Sequence, residues 1–496
     1  MYNKELACSA QESFLSSIHC VVNSVSSPLW DWLVWILIGV GLFFTMSTGF
    51  VQLRLFGRSI KEMTGSRQNP SDPHGITAFQ AFVVGLASRV GTGNIAGVAI
   101  AITTGGPGAV FWMWLTALIG MSSAFAESSL AQLFKIRDKN TGLFRGGPAY
   151  YIEQGLGQKW LGVVFSISLV LCFGLVYNAI QANMIGVSIQ SVTHLDEMAW
   201  KGQNFHHIVA VVLTLLVAPI IFGGLKRISL VAEGMVPVMA GLYLLMAIWV
   251  MLTHLSTIPA MLQLIFTDAF TFKAAGGGLL GGLISQAMML GIKRGLYSNE
   301  AGQGSAPNAA AAADVKHPAS QGLIQMLGVF VDTIIVCSCT AFIILLADPA
   351  VLAAAKGNGM MLTQSALVHH VGEWGRYFLM AVLLLFCFST IIGNYAYAES
   401  NVQFIANNKI VLLIFRLLAL GFVYFGAVSQ SDLVWDSGDL MMGIMALINL
   451  VVIALLYKLV LLLAKDYTVK LKLGKDPEFK LSEHPVLKRK IKNNIW

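Results

Sequence analysis

Along this chain, apolar runs of roughly 20 residues, the length that crosses a bilayer as a helix, recur between short polar connections. Eleven can be read, at about 30–50, 76–104, 108–134, 160–190, 205–224, 229–253, 277–303, 319–346, 375–405, 409–427 and 437–463. The pattern predicts an all-α polytopic membrane protein with eleven transmembrane helices in the lipid bilayer. The connections divide by charge. Loops at about 51–75, 135–159, 225–228, 304–318 and 406–409, with the tail from 464, hold 22 Lys or Arg, whereas the N-terminus and the alternate loops hold four, Lys4, Lys201, Lys273 and Lys356. Basic loops stay cytoplasmic. The expected topology therefore places an N-terminal segment, 1–29, outside and a basic tail, 464–496, in the cytoplasm.

Two of the runs are interrupted in the same way. Residues 80–97 read QAFVVGLASRVGTGNIAG and residues 286–302 read QAMMLGIKRGLYSNEAG. Both carry Gln-Ala, a Gly five residues after the Gln, and Arg-x4-Asn-x-Ala-Gly. With the helix at 30–50 set aside as an extra N-terminal one, these segments open two sets of five, 76–253 and 277–463. Five is odd, so the second set crosses in the opposite sense, which is the inverted-repeat plan of many transporters. Glu127 lies 33 residues after Asn94 and Asp332 lies 33 after Asn299, placing acids at matched positions of the two sets.

The interruptions are the candidate site. Gly91 and Gly93 weaken a helix by about 1 kcal/mol each relative to Ala, and backbone groups freed in lipid need partners inside the protein. A half-helix starting near Asn94 aims free N–H groups at the break, a seat for a carboxylate, with Thr92 beside it. Carbonyls ending the preceding half-helix, from Ala87 to Val90, suit Na+ or an ammonium. The second break is expected from Gly291 through Gly295 to Asn299, followed by Gly302, Gly304 and Pro307, with Gln286 and the carbonyls near Gly291 facing the same cavity or the glycines acting as a hinge. The ninth span adds Ser389, Thr390 and Asn394, hydroxyls and an amide on an apolar helix. Arg89, Glu127, Glu233, Lys293, Arg294, Glu300, Asp332 and Arg416 are charges inside spans, each costing at least about 2.5 kcal/mol unless paired or hydrated. Structural pairing and a part in coupling are both open to them.

Composition narrows the field. Hydrophobic residues are 56% and charged ones 11%, with mean hydropathy +0.71, which excludes a soluble globular domain. Much of the net charge of +7 sits in the tail, so no nucleic-acid partner is inferred, and no obligate protein partner is evident. Short loops leave no room for an appended nucleotide-binding domain. No phosphate loop, no H-E-x-x-H and no spaced nucleophile and base occur, so an ATP-driven pump and an enzyme are disfavoured. No removable signal peptide is expected before Trp30. Cys172, Cys337, Cys339 and Cys387 lie in spans as packing residues, and a Cys8–Cys20 disulfide outside is open.

At these residues the chain resembles the alanine or glycine:cation symporter family. GGPGAVFWMWLTALIG (105–120), RVGTGNIAG, GGPAYYI (146–152), SNEAGQGSAP (298–307) and STIIGN (389–394) stand in the expected order, and the resemblance covers roughly 30–460. It implies a leucine-transporter-type fold in the bacterial plasma membrane, importing a small neutral amino acid, alanine or glycine, with Na+ as the co-transported ion. By this resemblance Gly91, Thr92, Gly93, Asn94, Gln286, Gly291, Thr390 and Asn394 would surround the amino acid. Ala87, Val90, Ser389 and Thr390 would hold Na+. Some alanine-binding relatives carry Trp where this chain has Asn394; the smaller amide leaves space and a hydrogen-bonding group, which adds serine and glutamine as substrates. The rival readings are a proton-coupled transporter using Glu127 or Asp332, and an ion channel.

Overall fold

Apolar runs cross lipid as helices because each backbone N–H and C=O is then satisfied within its own segment. The computed structural model describes residues 14–65, 75–139, 141–193, 199–271, 285–354, 359–429, 432–488, 491 and 495–496. Its main helices are α1 (Phe14–Ser47), a short α2 (Phe56–Gly65), α3 (Ala78–Arg89), α4 (Gly93–Gly105), α5 (Ala109–Leu133), α6 (Lys159–Thr193), α7 (Ala199–Phe222) and α8 (Gly224–Thr253). There follow α9 (Ile258–Ala269), α10 (Gln286–Asn299), α11 (Pro307–Ala312), α12 (Pro318–Leu345), α13 (Gly359–Val371), α14 (Trp374–Ile405), α15 (Lys409–Val428), α16 (Asp432–Leu455) and α17 (Tyr457–Lys472). Extended structure among the described residues amounts to the antiparallel pair Ile136–Arg137 with Phe144–Arg145. Nine described helices are long and apolar enough to cross a membrane, or ten with α3 and α4 taken as one span bent by 52°. The chain is thus an all-α polytopic membrane protein.

Three boundaries differ from the sequence expectation. Helix α1 begins at Phe14, so the described part of the N-terminal segment continues the first span. The run expected at 437–463 ends at Leu455 and a new helix starts at Tyr457; charges recurring along α17 suit an interfacial helix better than a spanning one. The run at 277–303 is seen from 285 onward, as the 14-residue α10, and 272–284 lie outside the described residues. Cys8 also lies outside them, Cys20 is disulfide-bonded, and the four span cysteines are buried free thiols.

Helix α5 runs between α12 and α10, α3 lies against α8 and α14, and α6 packs on α14 and α15. Behind this body the basic tail folds back. The Phe479 N–H donates to Lys316 O at 2.9 Å and Trp496 Nε1 donates to Gln132 O at 3.2 Å, while the Phe479 ring is buried against His317. Burial acts to raise the Asp466 carboxyl on α17, but hydrogen bonds from His317 and Lys470 outweigh it and hold the group at about 2.

Candidate functional site

Helix α3 starts on a reciprocal cap in which Gln80 N–H donates to Thr77 Oγ1 at 3.0 Å and Thr77 N–H to Gln80 Oε1 at 3.1 Å. It stops at Arg89 because Val90 leaves helical geometry (φ −80°, ψ 91°). The chain re-enters a helix through a wide π-turn at Gly93–Gly97. The freed groups find side-chain partners. Gly91 N–H donates to Asn94 Oδ1 at 2.8 Å, and Thr92 N–H to Gln181 Oε1 at 3.2 Å. Gln181 Nε2 returns a bond to Thr92 Oγ1 at 2.9 Å, and the Tyr297 hydroxyl stands 3.2 Å from the same oxygen. A side chain at Gly91 would collide with Thr390 Oγ1, so glycine here is a requirement of close approach.

Thr390, from α14, places its hydroxyl 3.0 Å from Ala87 O, 3.1 Å from Val90 O and 2.9 Å from Phe386 O. One hydroxyl hydrogen serves one of these carbonyls at a time, so the cluster holds more acceptor capacity than donors. That is the donor set a hard cation takes. Ser389 shares Phe386 O, at 2.9 Å, but its other contact is the Met239 sulfur at 3.4 Å rather than Ala87 O or Val90 O.

The second break lies later than Gly291 and Gly295 suggested. Helix α10 is continuous through Gly291 and Gly295, and the chain turns only at Glu300 (φ 60°), Gly302 (φ 88°) and Gly304 (φ 80°) before α11. Gly291 is a packing position instead, where a side chain would strike the Ala109 carbonyl. Gln286 is the first residue of α10, eleven positions before Tyr297 and so about 16 Å from it by helical rise. The structure therefore brings Gly91, Thr92, Gly93, Asn94, Ala87, Val90, Thr390 and Asn394 together, and leaves Gln286, Gly291 and the Ser389 hydroxyl apart from them.

Two acids named from their matched spacing each hold the other set's break. Asp332, on α12, accepts from Asn94 Nδ2 at 2.6 Å, Ser298 Oγ at 2.8 Å and Thr333 Oγ1 at 2.9 Å. Glu127, on α5, accepts Gly302 N–H at 3.3 Å, Gly304 N–H at 3.1 Å and Asn449 Nδ2 at 2.7 Å. Glu300 takes the hydroxyls of Ser88 and Ser305, each at 2.7 Å. Arg89, buried beside them, bonds Gln325 Oε1 at 3.2 Å. The remaining charges have partners. Lys293 (2.8 Å) and Arg294 (3.1 Å) pair with Asp439, Arg416 pairs with Glu399 at 3.2 Å, and Glu233 accepts from Gln80 Nε2 at 3.0 Å.

Gln181, Tyr297, Ser88 and Ser298 touch the site but were absent from the sequence-derived set. A signal for Gln181 existed: Asn178, Gln181 and Asn183 are three neutral amides inside one apolar helix, each needing a partner in lipid.

With this geometry in hand, comparison with known proteins is direct. The model of the sodium:alanine symporter family matches residues 15–481. The chain is 48% identical over 477 residues to the "Amino-acid carrier protein AlsT" of Bacillus subtilis, covering 96% of this chain and 97% of that one. It is 43% identical over 463 residues to the "Probable sodium/glutamine symporter GlnT" of the same organism, covering 92% of each. It is 36% identical over 441 residues to the "Sodium/alanine symporter AgcS" of Methanococcus maripaludis, covering 88% of this chain and 94% of that one. A match along nearly the whole chain, on a polytopic helical body with a glycine break at its centre, makes this chain a member of the sodium:alanine symporter family.

Proposed function

We propose that the chain carries a small neutral amino acid inward together with Na+, by alternating access at the first break. The observation that carries this reading is the acceptor-rich cluster of Ala87 O, Val90 O and Thr390 Oγ1, one residue away from two N–H groups held only by neutral amides. Na+ takes the three oxygens. The amino-acid carboxylate takes the N–H groups of Gly91 and Thr92 at the positive end of α4, displacing the Asn94 and Gln181 oxygens, while Gly93 shapes the turn. Thr390 and Asn394 line the side-chain end. Gln286, Gly291 and Ser389 are left out of this set because of where their atoms lie.

Coupling follows from adjacency. Val90 supplies a sodium ligand and its neighbour Gly91 a carboxylate ligand, so each guest stabilises the backbone conformation the other needs. Such coupling works to the extent that both favour the same conformer.

For the architecture we read a leucine-transporter-type five-plus-five inverted repeat behind one extra N-terminal helix, with α3 and α10 opening the halves. The crossed grip of Glu127 and Asp332 supports it. The Lys and Arg distribution supports an outside N-terminus and a cytoplasmic C-terminus, and the bacterial relatives support a bacterial plasma membrane. The names of AgcS and GlnT support a substrate range from alanine to glutamine.

The test is uptake of radiolabelled alanine, glycine, serine and glutamine into proteoliposomes, with an inward Na+ gradient or with choline replacing Na+. Uptake of at least one only with Na+ is expected. Equal uptake in choline at unchanged membrane potential would overturn sodium coupling in favour of protons.

A further inference from the structure

Ala87, Val90, Thr92 and Asn94 have no exposed surface, so a guest held among them leaves only when helices part. The break separates α3, 12 residues and about 18 Å long, from its own continuation, and makes it a short lever with the site at one end. Its other end is held by one bracket, the linker 313–317 and the start of α12. Asp314 N–H donates to Ile76 O, just ahead of α3, at 3.0 Å, Gln321 Nε2 to Ala78 O at 3.3 Å and Gln325 Nε2 to Ala81 O at 3.4 Å, while Gln325 Oε1 holds Arg89 at 3.2 Å. Elsewhere α3 meets Glu233 of α8 through Gln80, at 3.0 Å, and the Tyr397 hydroxyl of α14 through Gly85 O, at 3.4 Å.

The bracket is itself held by the tail. Lys316 O takes the Phe479 N–H, and Lys316 Nζ pairs with Asp476 at 2.8 Å. His317 Nδ1 accepts the Ala319 N–H at 3.0 Å, so its Nε2 carries the hydrogen and donates to Asp466 on α17, also at 3.0 Å. The buried Phe479 ring fills the space between His317 and Trp496, with ring centres 5.5 and 5.8 Å away. The Trp496 ring lies 4.8 Å from Lys135 Nζ, and that nitrogen and Gln132 Nε2 each donate to Ala313 O at 3.0 Å. Ala313, Asp314, Lys316 and His317 are thus each tied down. The bonds from Asp314, Gln321 and Gln325 to backbone carbonyls are neutral and individually weak, so α3 stays in place only while the bracket keeps its shape.

We propose that the tail is a latch on the cytoplasmic mouth: through Asp476, Phe479 and Trp496 it fixes the linker 313–317, the linker holds α3 closed, and release of the tail lets α3 swing out and the guest depart. The proposal rests on the reading of the first break as the transport site and of the C-terminus as cytoplasmic.

The experiment places a cysteine on the lever. Ala81→Cys, at a buried position of α3, is alkylated with a membrane-impermeant maleimide in inside-out vesicles, alone, with Phe479→Ala and with Trp496→Ala. The chain without the added cysteine gives the background, since its four span thiols are buried. Phe479→Ala is expected to speed labelling about tenfold, because part of the worth of a buried ring suffices for that factor. Trp496→Ala, which removes no contact made by the linker itself, should act in the same direction and less; it decides alone if Phe479→Ala fails to reach the membrane. Unchanged labelling overturns the latch. So does labelling that rises together with the background, which would make the tail a brace for the whole chain. The labelling needs neither Na+ nor amino acid, so either result leaves the parent reading standing, whereas a wild-type chain without Na+-driven uptake overturns that reading and with it the task of the latch.

Discussion

The two breaks solve one problem with different side chains. At the second, the N–H groups of Gly302 and Gly304 are held by the two oxygens of Glu127, an acidic side chain built into α5. At the first, the N–H groups of Gly91 and Thr92 are held by the neutral oxygens of Asn94 and Gln181. A turn whose N–H groups are already taken by both oxygens of a built-in carboxyl group has little left for an anion. One holding amides can exchange them for a carboxylate and gain the charge interaction. The difference suits the breaks to unlike tasks, the second to a fixed joint and the first to the proposed seat of the guest.

The largest effect should come from unmaking the fixed joint. Glu127→Ala leaves the two glycine N–H groups as buried donors without their acceptor, at about 1–3 kcal/mol each, and the Asn449 amide with Gly302 O alone. Thermal unfolding in detergent should show the variant strongly destabilised. Wild-type unfolding would mean that the turn between Glu300 and Pro307 holds itself.

That joint was only half legible in the sequence. Gly91 and Gly93 mark the first break because the two glycines stand among Thr and Asn, which packing alone does not call for. Gly291 and Gly295 looked equivalent but serve contact with α5, the other use of small residues in membrane helices. A single sequence does not separate the two uses, since both demand a missing side chain. The acids were legible through their equal spacing, while their crossed grip was not, because a spacing says nothing of which helix lies opposite. Gln181 escaped because a neutral amide stands out less in an apolar run than a charge, although in lipid it needs a partner all the same.

The comparison can also be tested by making the first break resemble the second. Gln181→Glu sets a carboxylate where Thr92 N–H now meets an amide. The helix end is then satisfied by charge and the substrate carboxylate meets a like charge, so the KM for alanine should rise on the order of a hundredfold, about 2.7 kcal/mol. The fold should survive, because the donor stays paired. An unchanged KM would remove Gln181 and the Thr92 N–H from the carboxylate seat.

The smallest effects separate neighbours on α14. Thr390→Val keeps the shape and removes the hydroxyl that stands among Ala87 O, Val90 O and Phe386 O. If that oxygen is a sodium ligand, the Na+ concentration for half-maximal uptake should rise about tenfold, the worth of one ligand at roughly 1.4 kcal/mol, with little change in the maximal rate once Na+ is in excess. Ser389→Ala removes a hydroxyl one residue away, but that hydroxyl already bonds the carbonyl three residues back and faces Met239 on α8. Its loss should move the Na+ dependence by less than about twofold, because a back-bonded hydroxyl on a helix contributes little. Titrating uptake with Na+ for both variants in the same vesicles decides between geometry and proximity. Equal shifts would mean that Ser389 turns inward when the ion binds, and that the cluster around Thr390 is only part of the sodium site.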